Sequence, residues 1–265
     1  MNKIIASGWI ALVLAACTPG DSLPGLLEVS AEIAQSKTRA ADEHASDYDK
    51  RSFSTGDLIQ ISKDNGTPVQ YQRKAAGDWE LASGQTALTT VGTETFVASF
   101  PAGFTGILSN QTSATNFWSS NQLQATGVLN GNKGSFTFAP VAAKVTVVVT
   151  YGSAQTPSSA SLTGTGIRTN ASGSETIQPY CSSGSGTSAK RHTYVAIVYP
   201  GSRQFTISIK TTTETEKSYT DASPFTLKAG YNYQYNFTST NELILTGLNV
   251  NIFTETMEEN VGSAT

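Results

Sequence analysis

Charge is scarce in this sequence of 265 residues. Asp, Glu, Lys and Arg make up 14% of it, against roughly a quarter in ordinary soluble domains. The net charge is −3 and no basic patch interrupts the chain, which argues against a nucleic-acid partner. Histidine is down to two residues, His44 and His192. Each lacks a second histidine four positions on, an adjacent cysteine or an acidic partner at zinc-site spacing, so no metal site is expected and both read as solvated or half-exposed. No Gly-x-Ser-x-Gly elbow or phosphate loop occurs, and Gly164-Thr165-Gly166 lacks the third glycine and the helix of a dinucleotide site. The acidic group Asp42, Glu43, Asp47 and Asp49 lacks the spaced loop and glycine of a calcium site. The expectation is therefore a non-enzyme, with no catalytic residue, no cofactor and no metal.

Long apolar runs are also missing. The longest, residues 4–13, follows Lys3 and is too short to span a bilayer core, which needs about 20 residues of helix. A basic start, an apolar stretch and the small residues Leu14-Ala15-Ala16-Cys17 together make an export signal. The Leu-Ala-Ala-Cys order resembles the bacterial lipobox, in which cleavage precedes the cysteine and its thiol carries diacylglycerol. Residues 1–17 are thus assigned to a lipoprotein signal, with lipidated Cys17 as the first mature residue. The other cysteine, Cys181, then has no partner, which excludes a disulfide framework.

What is plentiful is Ser, Thr, Gly and Asn, set among β-branched and aromatic residues that alternate with a period of two. A first strand is expected at residues 56–61, returned through an Asn65-Gly66 turn to Val69 and Tyr71. Phe96, Ala98 and Phe100 alternate until Pro101 stops the ladder. Residues 102–134 read as a long loop with scattered aromatics, ending at Asn130-Gly131. Val145, Val147 and Val149 alternate in a strand that Val148 marks as covered on both faces. Residues 152–190 read as a loop anchored by Leu162 and Ile177. Tyr231-Tyr233-Tyr235-Phe237 puts four aromatics on one face of a half-buried strand. Leu27, Val29, Ala31 and Ile33 alternate near the start, although the same region also fits an amphipathic helix; Leu248, Val250 and Ile252 alternate near the end. Between the first of these rows and the body of the chain lies a polar link that should be open to proteases.

Several short stretches occur in a definite order: the lipobox, Thr38-Arg39-Ala40, Phe53-Ser54-Thr55-Gly56-Asp57-Leu58-Ile59, Phe100-Pro101, Phe136-Thr137-Phe138 running into Ala143-Lys144-Val145-Thr146-Val147, and Gly230-Tyr231-Asn232-Tyr233. This order resembles the fimbrillin family of Bacteroidales, the subunits of type V pili, over nearly the whole mature chain. One departure is Phe253, near the place where many relatives carry a Trp.

The resemblance implies an all-β chain of two transthyretin-like antiparallel β-sandwich domains in tandem. Its parts would be an N-terminal strand and protease-sensitive link at 18–51, a first sandwich at 52–140, and a second at 141–265 with a donor strand at 243–253. It further implies an outer-membrane, surface-exposed lipoprotein, cut after Arg39 or Arg51, that supports adhesion as a structural, accessory, tip or anchor component of a fimbria. Removal of the first strand would open an apolar groove that a neighbour's C-terminal strand fills. The residues carrying the exchange would be Leu27, Val29, Ala31 and Ile33 on one side and Leu248, Val250 and Ile252 on the other. The implied partners are other fimbrial subunits, the outer membrane through the lipid, and a host or bacterial surface receptor or glycan. The alternative is a non-polymerising glycan-binding or adhesive outer-membrane lipoprotein that uses Phe117 and Trp118 as ligand contacts, since flat apolar faces stack on sugar rings.

Overall fold

The computed structural model describes residues 24–34, 52–183 and 186–252. Among them the chain is nearly all strand, with one short helix, arranged as a set of mainly antiparallel sheets in a sandwich-like fold.

The first part of the chain runs through β1 (Gly25–Leu26), β2 (Glu28–Ile33), β3 (Leu58–Lys63), β4 (Val69–Arg73), β5 (Trp79–Leu81), β6 (Thr89–Thr90) and β7 (Phe96–Phe100). It continues through α1 (Ala114–Ser120), β8 (Leu123–Thr126), β9 (Val128–Asn130) and β10 (Lys133–Pro140). The main sheet has the order β2-β10-β8-β7-β3-β4-β5, with β9 also paired to β10, while β1 pairs with β6. Period-two patterning decides which face is inside. Along β10, exposed and buried residues alternate without a break, turning Phe136 and Phe138 inward onto Ile59, Ile61, Phe96 and Ala98. Phe53 lies edge-on to Trp79, Phe100 and Phe138 at 5.0, 5.3 and 5.3 Å, linking strands that are distant in the sheet.

The turn between β3 and β4 sits one residue earlier than expected. Asp64 and Asn65, not Asn65 and Gly66, take the positive φ values of 48° and 61°, and the Gly66 N–H donates to the Lys63 carbonyl at 2.7 Å. Both residues tolerate the left-handed region, and two in succession give the primed turn that follows strand twist.

The second part comprises β11 (Ala143–Gln155), β12 (Pro157–Thr165), β13 (Ser174–Ile177), β14 (Tyr180–Ser183), β15 (Ala189–Val198), β16 (Gly201–Arg203), β17 (Thr206–Thr211), β18 (Lys217–Thr220), β19 (Phe225–Leu227), β20 (Tyr231–Ser239) and β21 (Leu243–Ile252). Its sheets order as β14-β15-β11-β20-β21, β13-β12-β17-β18 and β16-β19. A second core gathers Val145, Val147 and Val149 of β11 with Tyr194, Phe205, Ile207, Tyr235 and Phe237. From Ala143 to Val149 every residue of β11 is buried, and Thr146 meets its hydroxyl's need by donating to Asn232 Oδ1 at 2.7 Å.

Three expectations give way here. Residues 102–134 hold α1, β8 and β9 instead of one loop; Ser113 caps α1 by accepting from the Asn116 N–H at 3.1 Å. Residues 152–190 hold β12, β13 and β14 as well as the end of β11. Apolar periodicity misses β12 because its inward positions include Gly164, where a Cβ would stand 2.8 Å from the Gln204 carbonyl, so only glycine lets the strands close. The third is His192, which is fully buried in β15 opposite Val149, with its ring 5.0 Å from that of Tyr151 and 6.3 Å from that of Tyr194. Burial holds its pKa below the ordinary value.

Candidate strand-exchange edges

β2 forms one end of the main sheet and runs parallel to β10, with Glu28 opposite Lys133 and Ile33 opposite Phe138. The Glu28 N–H donates to the Asn132 carbonyl and the Ala34 N–H to that of Phe138, at 2.9 and 2.8 Å. Just upstream, β1 pairs with β6 and the Leu27 N–H donates to the Leu88 carbonyl at 2.8 Å. This short segment therefore satisfies two separate backbone edges.

Its side chains divide by the strand period. Leu27 and Ile33 are 6% and 1% exposed, and Val29 and Ala31 pack against the first core from half-buried positions. Glu28, Ser30 and Glu32 face out, where Glu28 accepts from Asn132 Nδ2 at 3.0 Å and Glu32 from Thr137 Oγ1 at 3.3 Å. Full burial of one such aliphatic side chain is worth ~1.5–3 kcal/mol, so Leu27 and Ile33 together contribute on the order of 3–6 kcal/mol. Gly134 of β10 makes room for Leu27: a Cβ there would stand 3.1 Å from Leu27 Cδ1 and 3.1 Å from the Phe136 ring. A glycine inside an otherwise alternating strand was the sequence signal for this groove, and it went unread.

The other candidate strand, β21, is likewise an edge, paired antiparallel to β20 along its length. Leu243 is buried, and Leu245, Leu248 and Val250 pack against the second core. The apolar rhythm skips from 245 to 248 because the register shifts at Asn236/Phe237, and this bulge keeps both halves of β21 facing the same way. Ile252 pairs with Tyr231 in the same ladder. All seven residues proposed for exchange thus lie on or beside terminal edge strands, but on two different sheets that each strand now completes within its own chain.

The aromatic pair behaves differently. Phe117 is 1% exposed and belongs to the second core, 6.2 Å from the Tyr180 ring, so it is not a surface ligand contact. The 3.6-residue period of α1 carries it inward, whereas a loop was expected to leave it out. Trp118 is partly exposed and leans on Phe117 at 6.1 Å. Cys17, Arg39, Arg51 and Phe253 lie outside the described residues.

No family model matches the chain, nor does any curated protein. The fold, however, is similar to solved ones. A candidate cell adhesion protein from Bacteroides ovatus superposes with a TM-score of 0.59 at 12% identity, covering 92% of this chain and 100% of that one. A second candidate cell adhesion protein, from Bacteroides uniformis, gives 0.53 at 17% identity, with 87% and 99% covered. The fimbrial anchor protein Mfa2 from Porphyromonas gingivalis gives 0.42 at 11%, with 86% and 98% covered. At these identities the likeness is one of fold.

Proposed function

We propose that the chain is a structural subunit, or an accessory, tip or anchor component, of a cell-surface fimbria that supports adhesion. In this reading it is exported as an outer-membrane lipoprotein through Cys17, cut after Arg39 or Arg51, and joined to other subunits by strand exchange. In the same reading the chain divides near residue 140 into two sandwich domains, assigned to 52–140 and 141–265.

The observation that carries the reading is the placement of the terminal strands. β2 and β21 each end a sheet and each present an apolar row to a core. An edge strand can leave without breaking the order of the remaining strands, and what it leaves behind is a row of backbone donors and acceptors above apolar pockets at alternate positions. A second strand with the same period fits such a groove by main-chain bonds, so affinity resides in the row and not in one side chain. The fold shared with cell adhesion proteins supports the same reading.

Mild trypsin treatment of the purified full chain tests it. Cleavage after Arg39 or Arg51 should be followed by loss of the N-terminal segment and growth of polymers seen by light scattering. A chain from which that segment has been removed and which stays monomeric would overturn the assembly mechanism. Recovery from cell envelopes of a chain still beginning at acylated Cys17 would instead assign a permanent tether, as an anchor component requires.

A further inference from the structure

We propose that the second core carries, at the end where β16 meets β17, a binding site for a sugar residue bearing a carboxylate. The site rests on Arg203, which is only 9% exposed. Its guanidinium donates from Nε to the Tyr199 carbonyl (3.3 Å), from Nη1 to the Ser202 carbonyl (3.2 Å), and from Nη2 to the Pro200 carbonyl (2.7 Å) and Asn170 Oδ1 (2.8 Å). Gly166 and Gly201, at φ 64° and 114°, close over it, and a Cβ on either would stand 3.2 or 3.3 Å from its nitrogens. The cation is thus held in a fixed place.

Nothing anionic answers it. Among the described residues no carboxylate pairs with Arg203, and one of its five N–H donors, on Nη1, has no partner. The nearby acids are engaged elsewhere: Asp221 accepts from the Phe205 N–H and the Tyr235 hydroxyl, and Glu175 from the Arg168 and Thr169 backbone and the Thr169 hydroxyl. A buried guanidinium is always charged, and burying that charge is costly unless an anion is supplied.

Arg203 also lines a cleft of about 320 Å³ that contains no acid. Apart from the arginine, its walls are mostly hydroxyls: Thr163 and Thr165 of β12, Ser174 of β13, Thr206 of β17 and Thr220 of β18, with Ser202 beside the cation. The threonines are in register across the sheet, Thr163 opposite Thr206 and Thr206 opposite Thr220; the Thr206 and Thr220 hydroxyls pair at 3.0 Å and that of Thr163 pairs with Thr176 at 2.9 Å, so what the row offers a ligand is its remaining acceptor lone pairs, at fixed spacing. The volume sits at the lower end for small-molecule sites and suits one substituted ring. A neutral sugar would leave the cation unanswered, and a bare anion would leave the hydroxyl row unused. A ring carrying both hydroxyls and a carboxylate meets both. This inference does not depend on strand exchange and stands whether or not the chain polymerises.

The test is titration of the full chain with glucuronic acid, glucose and acetate by ligand-observed NMR. Glucuronic acid should bind at least about tenfold more tightly than glucose or acetate, as expected when a charge-assisted bond is added to a neutral set. Arg203→Lys should weaken it by about tenfold or more. Because Arg203 also ties neighbouring turns together, Thr163→Val and Thr206→Val serve as the second arm: each keeps strand shape and should leave Tm in place while weakening glucuronic acid severalfold. Equal binding of glucose or acetate, no binding of glucuronic acid, or indifference to both threonine variants would overturn the site.

Discussion

Ile33→Ala tests whether β2 is detachable without waiting for any polymer. Ile33 is 1% exposed and faces the first core from the last position of an edge strand. Truncating a buried isoleucine to alanine costs ~2–5 kcal/mol, and an edge position that can relax favours the lower half, about 3 kcal/mol. If β2 opens as a unit of its own, that energy appears in its local opening, which becomes about 150-fold more frequent at 1.4 kcal/mol per tenfold. Hydrogen exchange read by mass spectrometry should show the increase in peptides spanning 24–34 and 133–138, whose ladder is shared. Peptides of β11 and β20, in the second core, should not change. An increase spread evenly over both cores would mean that β2 is inseparable from the global fold, and strand exchange at this edge would lose its basis.

Other predictions concern the frame around the edges. Gln111 is fully buried and substitutes for a missing strand, donating from Nε2 to the Ile197 carbonyl at 2.9 Å and accepting the Ile197 N–H at 2.8 Å. Gln111→Leu strands both backbone groups and should lower stability by about 2–4 kcal/mol in urea denaturation; a loss under 0.5 kcal/mol would show the bonds to be replaceable. The Glu94 carboxylate is held well below the usual range, first by the Lys63 ammonium at 2.7 Å, then by the Thr90 hydroxyl and the Val91 N–H. Because the folded pKa is depressed, this contribution is present above the unfolded value of about 4.3 and fades as pH falls below it. Tm should therefore drop between pH 5 and 3 more steeply in the native chain than in Glu94→Gln, and parallel curves would refute the linkage. Burial pushes the Cys181 thiol up to about 11, so iodoacetamide at pH 8 should label the folded chain at least about 100-fold more slowly than the urea-unfolded one.

What could be read in advance followed the alternation of large side chains. Leu27 to Ile33, Phe96 to Phe100, Val145 to Val149 and Tyr231 to Phe237 are strands because each repeats an apolar residue every second position. Strands without that rhythm stayed hidden. In β12 the hydroxyl of Thr163 faces outward and pairs with Thr176 of β13 at 2.9 Å, while Leu162 is the one large inward side chain, followed on that face by Gly164, so composition assigns the stretch to a loop. α1 was missed because seven residues are too few to display a helical period, and its Phe117 was therefore placed on the wrong side. His192 looked solvated because Arg191 precedes it, yet strand alternation sends neighbouring residues to opposite faces, so the arginine is exposed and the histidine is not. The two edges could be named from sequence, but the Gly134 groove needed the register of β2 on β10.

The proposed assembly requires so well packed a strand as β2 to be exchangeable, and the covalent link supplies a way. While residues 35–57 join it to β3, its effective concentration at β10 is of millimolar order, as for short tethers. Once that link is cut, the segment competes at its bulk concentration. At nanomolar levels the difference is six decades, or about 8 kcal/mol, more than Leu27 and Ile33 contribute together. Weak packing is therefore not required: a strand that opens only transiently and recloses in an intact chain would be released by one peptide cleavage. A labelled synthetic peptide of residues 18–39, supplied in micromolar excess over nanomolar protein, should accordingly enter the chain cut after Arg39 within hours and be excluded from the uncut chain. Equal uptake by both would mean that the tether does not hold the groove closed. Uptake by neither would mean that β2 stays after cleavage, leaving no vacancy for a neighbour's β21 to fill.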